Sequence, residues 1–196
     1  MKRLFDILFS SLVLIFFSPL LLALSLVIKL TSKGPVFYKG KRVGLGEKPF
    51  LMYKFRTMLT NADKIGGPTT PEDDPRITRI GFFLRKYKLD ELPQFINVLK
   101  GEMSVVGPRP DVPDVIKLLS KKEKSVVLSV KPGITDFASI AFPNEGEIVK
   151  GAKDPHKAYL EKIWPEKIRL QVKYAKERSF WLDVKIIART IKAILT

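Results

Sequence analysis

The stretch RKYKLDELPQF (residues 85–95) sets two adjacent carboxylates, Asp90 and Glu91, directly after a run of cations and just before a proline. A carboxylate with an ordinary pKa of about 3.9 is ionised at neutral pH and needs no base to act as a nucleophile. Guanidinium groups and helix-start amides hold phosphate oxygens. A hard cation such as Mg²⁺ takes one or two carboxylates and shares a substrate's phosphates. With Arg85 facing Asp90 from upstream, these parts suit phosphoryl transfer, where positioning and charge neutralisation supply most of the catalysis. The bland alternative makes Asp90 the N-cap of the helix that follows. Its third helical residue would then be Pro93, which has no N–H to donate. Glu91 would be an ordinary first-turn acid favoured by the helix dipole.

The rest of the composition narrows the chemistry. The chain has 196 residues, 35 Lys and Arg against 20 Asp and Glu, and a formal net charge of +15. That balance points to an anionic partner: nucleic acid, an acidic membrane surface or a phosphorylated substrate. Cysteine is absent and His156 is the single histidine. Disulfides, thiol nucleophiles and cysteine-based metal sites are thereby excluded. Acid–base or nucleophilic chemistry falls to carboxylates.

The elements that must position the acids begin with an apolar run. Residues 7–28, ILFSSLVLIFFSPLLLALSLVI, carry no charge and are long enough for about one crossing of a bilayer core. Ser18-Pro19 falls near the middle, where proline removes a backbone hydrogen bond and clashes with the preceding turn. Cations flank both ends: Lys2 and Arg3 before, Lys29, Lys33, Lys39 and Lys41 after. If both flanks obey the preference of positive charge for the cytoplasmic side, the segment enters and leaves by one face. The reading is a re-entrant helix-break-helix hairpin over residues 1–32, with the Ser18 hydroxyl satisfying backbone groups freed by Pro19. A kinked spanning helix is the alternative.

Residues 33–196 read as one domain. Val36–Tyr38 and Phe50–Phe55, separated by Gly44 and Gly46, suggest a β-hairpin. NADKIGGPTTPEDDPR (61–76) reads as a mobile polar loop. Ile77, Ile80, Leu84 and Tyr87 recur at helical spacing, and Leu92, Phe95, Ile96 and Leu99 form the apolar stripe of a second helix that Gly101 can end. SVVGPRPDVPD (104–114) turns through three prolines. Two helices close the chain, the first opened by Pro165. The last begins at Trp181 and mixes Ile186, Ile187, Ile191 and Leu195 with Lys185, Arg189 and Lys192, a pattern that suits a membrane interface or packing on the core. The fold class is therefore α+β, mostly helical, with a small β-hairpin and amphipathic interfacial helices.

The segments KRLFD…SP, YKFRTM, DPRITRIGFFLRKYKLDELPQFINVLKGEMSVVGPRP and KPGIT together resemble the bacterial sugar transferase family, the small monotopic phosphoglycosyl transferases. The likeness covers nearly the whole chain. It implies transfer of a sugar phosphate from a UDP-sugar to a polyprenyl (undecaprenyl) phosphate, releasing UMP, as the first membrane step of glycoconjugate assembly. It implies that Asp90 and Glu91 are the family's dyad, that Asp90 attacks the β-phosphate to give a phosphosugar–aspartate, and that Mg²⁺ is held near Asp90. Arg85 matches the family's phosphate-contacting arginine and Arg109 lies in its PRP turn. The broken helix at Ser18-Pro19 matches the family's re-entrant segment, which places the catalytic domain on the cytoplasmic face of the bacterial inner membrane among anionic lipids. A homodimer is left open.

Two departures from the family's common pattern, Gly40 in YKGKRVG and Asp136 in DFASIAFPNEGE, lie away from the dyad and bear on sugar choice. Lys54 and Arg56 could meet phosphate, although cations on alternate strand residues more often mark a solvated face. Glu72, Asp73 and Asp74 form an acidic loop that could bind metal or simply flex, and His156 reads as a surface residue. The rival class is a membrane-tethered basic protein that binds nucleic acid or anionic lipid without catalysis. Nucleic-acid binding predicts cations gathered on one helix with interleaved aromatics, whereas here they are spread along the chain.

Overall fold

Pro19 has no N–H to offer the carbonyl of Ile15, and the chain breaks there. In the structure, a computed structural model that describes residues 1–195, α1 (Lys2–Phe16) and α2 (Ser18–Thr31) meet at Phe17 with a bend of 61°. The freed carbonyl is not left bare: Ser18 Oγ donates to Ile15 O at 2.8 Å. No single helix among the described residues is long and apolar enough to cross a membrane, but the bent pair qualifies by length and composition. Leu4, Leu8, Leu12, Ile15, Leu22 and Leu30 on this pair are all more than 60 % exposed.

The inner face of α1 is tied down by polar groups. Asp6, 2 % exposed, accepts from Ser104 Oγ and Val105 N, both at 3.0 Å. The Arg3 guanidinium donates to the carbonyls of Val98 and Leu99 at the end of α5 (Gln94–Lys100), where the helix ladder runs out, joining Gly101 N on Val98 O. Lys2 donates to Asp183, which also takes the Tyr174 hydroxyl at 2.7 Å. These three side chains stand in the basic-acidic KRLFD segment, so the start of α1 belongs to the packed body.

The hairpin pairs β1 (Phe37–Val43) with β2 (Pro49–Phe55) antiparallel, Gly40 opposite Met52 and Tyr38 opposite Lys54. Its turn contains Gly46 at φ +61 and Glu47 at φ +64. Both strands are as expected in kind, with β1 longer than its apolar residues suggested. After α3 (Ala62–Ile65), α4 (Arg79–Lys86) starts at Thr78, whose hydroxyl caps Gly81 N. A Cβ on Gly81 would lie 2.0 Å from Thr57 O, so only glycine lets α4 lie this close to the end of the hairpin. Leu84, wholly buried, joins Ile28 and Phe55 and fixes α4 to α2. Burying such side chains contributes about 1.5–3 kcal/mol each.

The loop over residues 61–76 differs from its mobile reading. Asp74 and Arg76 are 4 % and 7 % exposed and form a buried ion pair at 2.6 Å, and Arg76 also donates to Ala62 O and Gly67 O. The loop is pinned from inside by its own charges.

Gly101, at φ +82, ends α5. The buried face of α5 is Phe95 and Val98 with Gln94 and Asn97, so the expected stripe is shifted: Ile96 and Leu99 are only half-buried. Asn97 is buried because its amide bridges Tyr53 N, Leu51 O and Glu102. Next come β3 (Ser104–Val106), α6 (Pro113–Ile116), α7 (Lys121–Val127) and β4 (Gly133–Thr135), which pairs parallel with β3. The remainder is helical: α8 (Phe137–Ala141), α9 (Glu145–Ile148), α10 (Pro155–Lys162), α11 (Trp164–Glu177) and α12 (Phe180–Leu195). Helix α12 packs one side on the core, as one of its two readings had it, and leaves the other side exposed. Ile186 is wholly buried in the core beside Val106 and Tyr174, while Trp181 is 73 % exposed beside Phe180, whose ring packs on Phe5. The Leu195 side chain lies outside the described residues.

Candidate active site

The dyad sits on a 3₁₀ turn, Leu89–Glu91, wedged between α4 and α5. Lys88 begins the turn in the left-handed conformation at φ +55, where a residue with a Cβ is uncommon. Helix α5 then starts only after Pro93, whose fixed φ of −62 suits a helix entry but which brings no capping side chain. Asp90 is therefore not the N-cap of that helix. The cap reading fails because proline takes the entry position, and the Asp90 carboxylate is released from backbone duty.

The two acids are treated differently. Glu91 receives Lys54 Nζ at 2.8 Å and both terminal nitrogens of Arg109, Nη1 at 2.9 Å, in a two-pronged ion pair. Burial pushes the Glu91 carboxyl up, but Arg109 and Lys54 together outweigh it and hold the carboxyl well below the usual range. Asp90 is 6 % exposed, accepts no hydrogen bond among the described residues, and has Lys54 Nζ at 3.9 Å as its ion partner. Burial raises its pKa, opposed first by Lys54. A buried carboxylate with unfilled lone pairs is costly for folding alone. Arg85 faces Asp90 and Asp74 from α4 without an ion pair of its own, its pKa lowered by burial.

Arg109 is brought in by backbone geometry. A Cβ on Gly133 would stand 2.0 Å from Gly107 N, and one on Gly107 2.3 Å from Lys131 O, so GPRP and KPGIT cross in near contact. Asp136, wholly buried, accepts Arg109 N at 3.2 Å and Ser139 N at 2.7 Å, which caps α8 and fixes the PRP turn at once. Burial raises the Asp136 pKa, opposed by the Ser139 bonds. Sequence reasoning set Asp136 away from the dyad, as a departure bearing on sugar choice, whereas the structure puts it one residue removed from Glu91, holding the backbone of the Arg109 that clasps it. The position of Asp136 just before a Phe-Ala-Ser helix start was the signal that could have assigned it a capping role.

Lys54, Arg85 and Arg109 thus converge on Asp90 and Glu91. Arg56 does not. It is 5 % exposed, and its guanidinium donates to Lys33 O at 2.6 Å and to Ser32 O and Oγ at 2.9 and 2.6 Å, closing the end of α2. Lys54 faces inward on the hairpin, but Arg56 lies past the strand's last residue, where alternation no longer sets its direction. Gly40 is explained by its neighbours: a Cβ there would lie 2.9 Å from the Tyr38 ring and 3.0 Å from an Arg42 nitrogen, so glycine lets Tyr38 and Arg42 meet over the strand. The acidic loop is spoken for, with Asp74 on Arg76 and Glu72 on Lys150. Among the described residues no group of three or more His, Asp or Glu is placed to hold a metal ion. His156 is half-buried, its Nδ1 2.9 Å from Thr69 Oγ1.

A magnesium ion fits this donor set only in one form. Glu91 is saturated by cations, whereas Asp90 has only the long Lys54 contact among the described residues, so a metal here would take one protein carboxylate and fill its shell with substrate phosphate and water, as Mg²⁺ commonly does.

The family model described as bacterial sugar transferase matches residues 1–196. A UDP-N-acetylgalactosamine-undecaprenyl-phosphate N-acetylgalactosaminephosphotransferase of Aeromonas hydrophila is 39% identical over 198 residues, covering 100% of this chain and 44% of the relative. A UDP-glucose:undecaprenyl-phosphate glucose-1-phosphate transferase of Klebsiella pneumoniae is 43% identical over 194 residues, covering 97% and 39%. An uncharacterized sugar transferase of Bacillus subtilis is 38% identical over 195 residues, covering 100% and 87%. The chain spans less than half the length of the first two relatives and most of the third.

Proposed function

The chain belongs to the bacterial sugar transferase family, and from that premise we propose that it moves a sugar 1-phosphate from a UDP-sugar to undecaprenyl phosphate and releases UMP. The observation that carries the reading is the division of labour in the dyad. Glu91 is locked by Arg109 and Lys54, while Asp90 is buried and, among the described residues, accepts no hydrogen bond, with Lys54 at 3.9 Å as its ion partner.

An Asp90 oxygen attacks the β-phosphorus of the donor. The new O–P bond forms as the bond from that phosphorus to the bridging oxygen breaks, and UMP departs with the electron pair. The lipid phosphate then attacks the same phosphorus, frees Asp90 and leaves a diphosphate-linked sugar. Arg85, whose guanidinium makes no ion pair among the described residues, and Lys54, 3.9 Å from Asp90, are placed to hold the phosphate oxygens through both steps. Arg109 holds Glu91 and reaches the substrate only at the edge of that pair. Bound Mg²⁺, held by Asp90, would supply further neutralisation of phosphate charge.

Residues 1–32 act as a re-entrant membrane hairpin, and 33–196 as the catalytic domain on the cytoplasmic face of the inner membrane, the two working as one unit. The exposed leucines of α1 and α2, the 61° break and the cations at both flanks support this, and Trp181 on α12 suits the interface with anionic lipid.

The test is incubation with UDP-sugars, Mg²⁺ and undecaprenyl phosphate. UMP release that disappears in Asp90→Asn is the expected result, with a phosphosugar adduct on Asp90 detected by mass spectrometry when the acceptor is withheld. Undiminished turnover by Asp90→Asn overturns the reading.

A further inference from the structure

Lys88 is held in a way that its structural duties do not explain. It occupies the left-handed region at φ +55, a conformation that costs a non-glycine residue of order 1 kcal/mol and is more often met at functional sites. Its ammonium is half-buried and faces Glu91, Arg109, Asp90 and Lys54. Among the described residues its acceptor is a single backbone carbonyl, Pro143 O, so two of its three protons lack a protein partner. Neither dyad acid fills the gap: Glu91 is occupied by Lys54 and Arg109, and Lys88 makes no ion pair with Asp90.

The charge balance at the turn points the same way. Asp90 and Glu91 stand against Lys54, Arg85, Lys88 and Arg109, an excess of two positive charges. Lys54 and Arg109 are engaged by Glu91, which leaves Arg85 and Lys88, among the described residues, as the cations of this cluster without a carboxylate in an ion pair. Both precede Asp90 in the chain, Arg85 on α4 and Lys88 at the head of the 3₁₀ turn. An anion of charge two or more, with oxygens on two phosphorus atoms, meets both needs.

We propose that Lys88 is a second diphosphate-binding cation, which with Arg85 grips the phosphates of the donor at Asp90 while Pro143 O keeps the ammonium aimed into the site. The Pro143 carbonyl is itself well placed to aim it. The following segment is fastened to the 69–73 loop, where Glu72 N donates to Gly146 O at 3.0 Å and Lys150 pairs with Glu72, and to the core, where Glu145 meets buried Lys167 at 3.1 Å. This inference rests on the diphosphate donor proposed above, and its test separates the two.

The variants follow from the backbone. Lys88→Asn removes the ammonium but suits the left-handed corner, Lys88→Gly serves if asparagine does not fold, and Lys88→Arg keeps the charge. Inorganic pyrophosphate is titrated calorimetrically into the full chain in detergent with Mg²⁺. Loss of one charge-assisted contact is expected to weaken binding about tenfold or more in Lys88→Asn, with Lys88→Arg within about threefold of the parent. Lys117→Met, which removes an exposed surface pair, leaves binding unchanged. In turnover, Lys88→Asn raises KM for the UDP-sugar by a similar factor and leaves KM for the lipid phosphate alone. Unaltered pyrophosphate affinity in both neutral variants, or a parent that does not bind pyrophosphate, overturns the assignment. A parent that binds pyrophosphate in a Lys88-dependent way yet releases no UMP overturns the donor reading and leaves the cation site standing.

Discussion

Asp136 accepts the backbone N–H of Arg109 at 3.2 Å, and so a residue 27 positions downstream sets the register of the arginine that clasps Glu91. The bond is buried, and the same carboxylate caps α8 through Ser139. Asp136→Ala leaves these donors without an acceptor, which costs about 1–3 kcal/mol. Lower thermal stability together with a drop in kcat is the expected outcome. Asp136→Asn, which keeps one acceptor oxygen, should fall between. A stable, fully active Asp136→Ala would show that Arg109 is held by other means.

Glu91→Gln removes the anion between two cations. Breaking a buried pair from one side costs about 3–5 kcal/mol because the partner charges remain. The pH dependence follows from the direction of the shift. The folded pKa of Glu91 is depressed, so its stabilisation is fully present above the unfolded value of about 4.3 and is lost only as pH falls through the lower folded value. Denaturant midpoints of parent and variant should therefore stay apart at pH 7 and at pH 5, and converge only below about 4.

For Asp90 the sign is reversed. Burial raises its folded pKa, so the folded state keeps a proton to higher pH than the unfolded chain, and stability declines as pH rises through that window. Asp90→Asn escapes that decline. Chemical denaturation should find the inactive variant at least as stable as the parent at pH 7, with the difference vanishing below about pH 4. A variant markedly weaker at pH 7 would mean that the carboxylate serves the fold.

Gly133→Ala introduces a methyl 2.0 Å from Gly107 N, against backbone that has nowhere to go. Overpacking of this kind costs about 1–3 kcal/mol or more, and here it would also push the PRP turn off Glu91. Reduced soluble yield and loss of UMP release are expected together. Gly67→Ala, where a Cβ meets nothing within 4 Å, is the contrasting control.

The hairpin predicts its own topology. In the cysteine-free chain, single cysteines at positions 2 and 33 should react with an impermeant thiol reagent from the same side of sealed vesicles. Pro19→Ala returns an N–H to Ile15 O and removes the reason for the 61° bend. Labelling of the two positions from opposite sides in the parent would exclude a re-entrant path.

Much of this architecture was legible because it follows from local chemistry. Ser18-Pro19, the hairpin strands and Gly101 after α5 each act within a turn or two, and the structure repeats them. The dyad and its arginines were legible as residue types in a pattern. What escaped depended on partners far away in the chain. Arg56 looked like a phosphate ligand until Ser32 and Lys33 claimed it, and Asp74 looked like a loop acid until Arg76 folded inward beside it. The role of Asp136 required knowing that two glycines bring KPGIT against GPRP. Asp90 itself was misjudged as a possible cap because a proline's preference for helix entry was weighed only as a missing donor.

Arg3 and Asp6 fasten the first turns of α1 to the end of α5 and to the strand at Val105, and α5 is the helix that the dyad turn runs into. Such bracing makes the apolar hairpin a rigid keel. If the leucine-covered face settles into a bilayer as proposed, Asp90 rides with it, at a height fixed by the packing of α1 against α5 rather than by a loose tether.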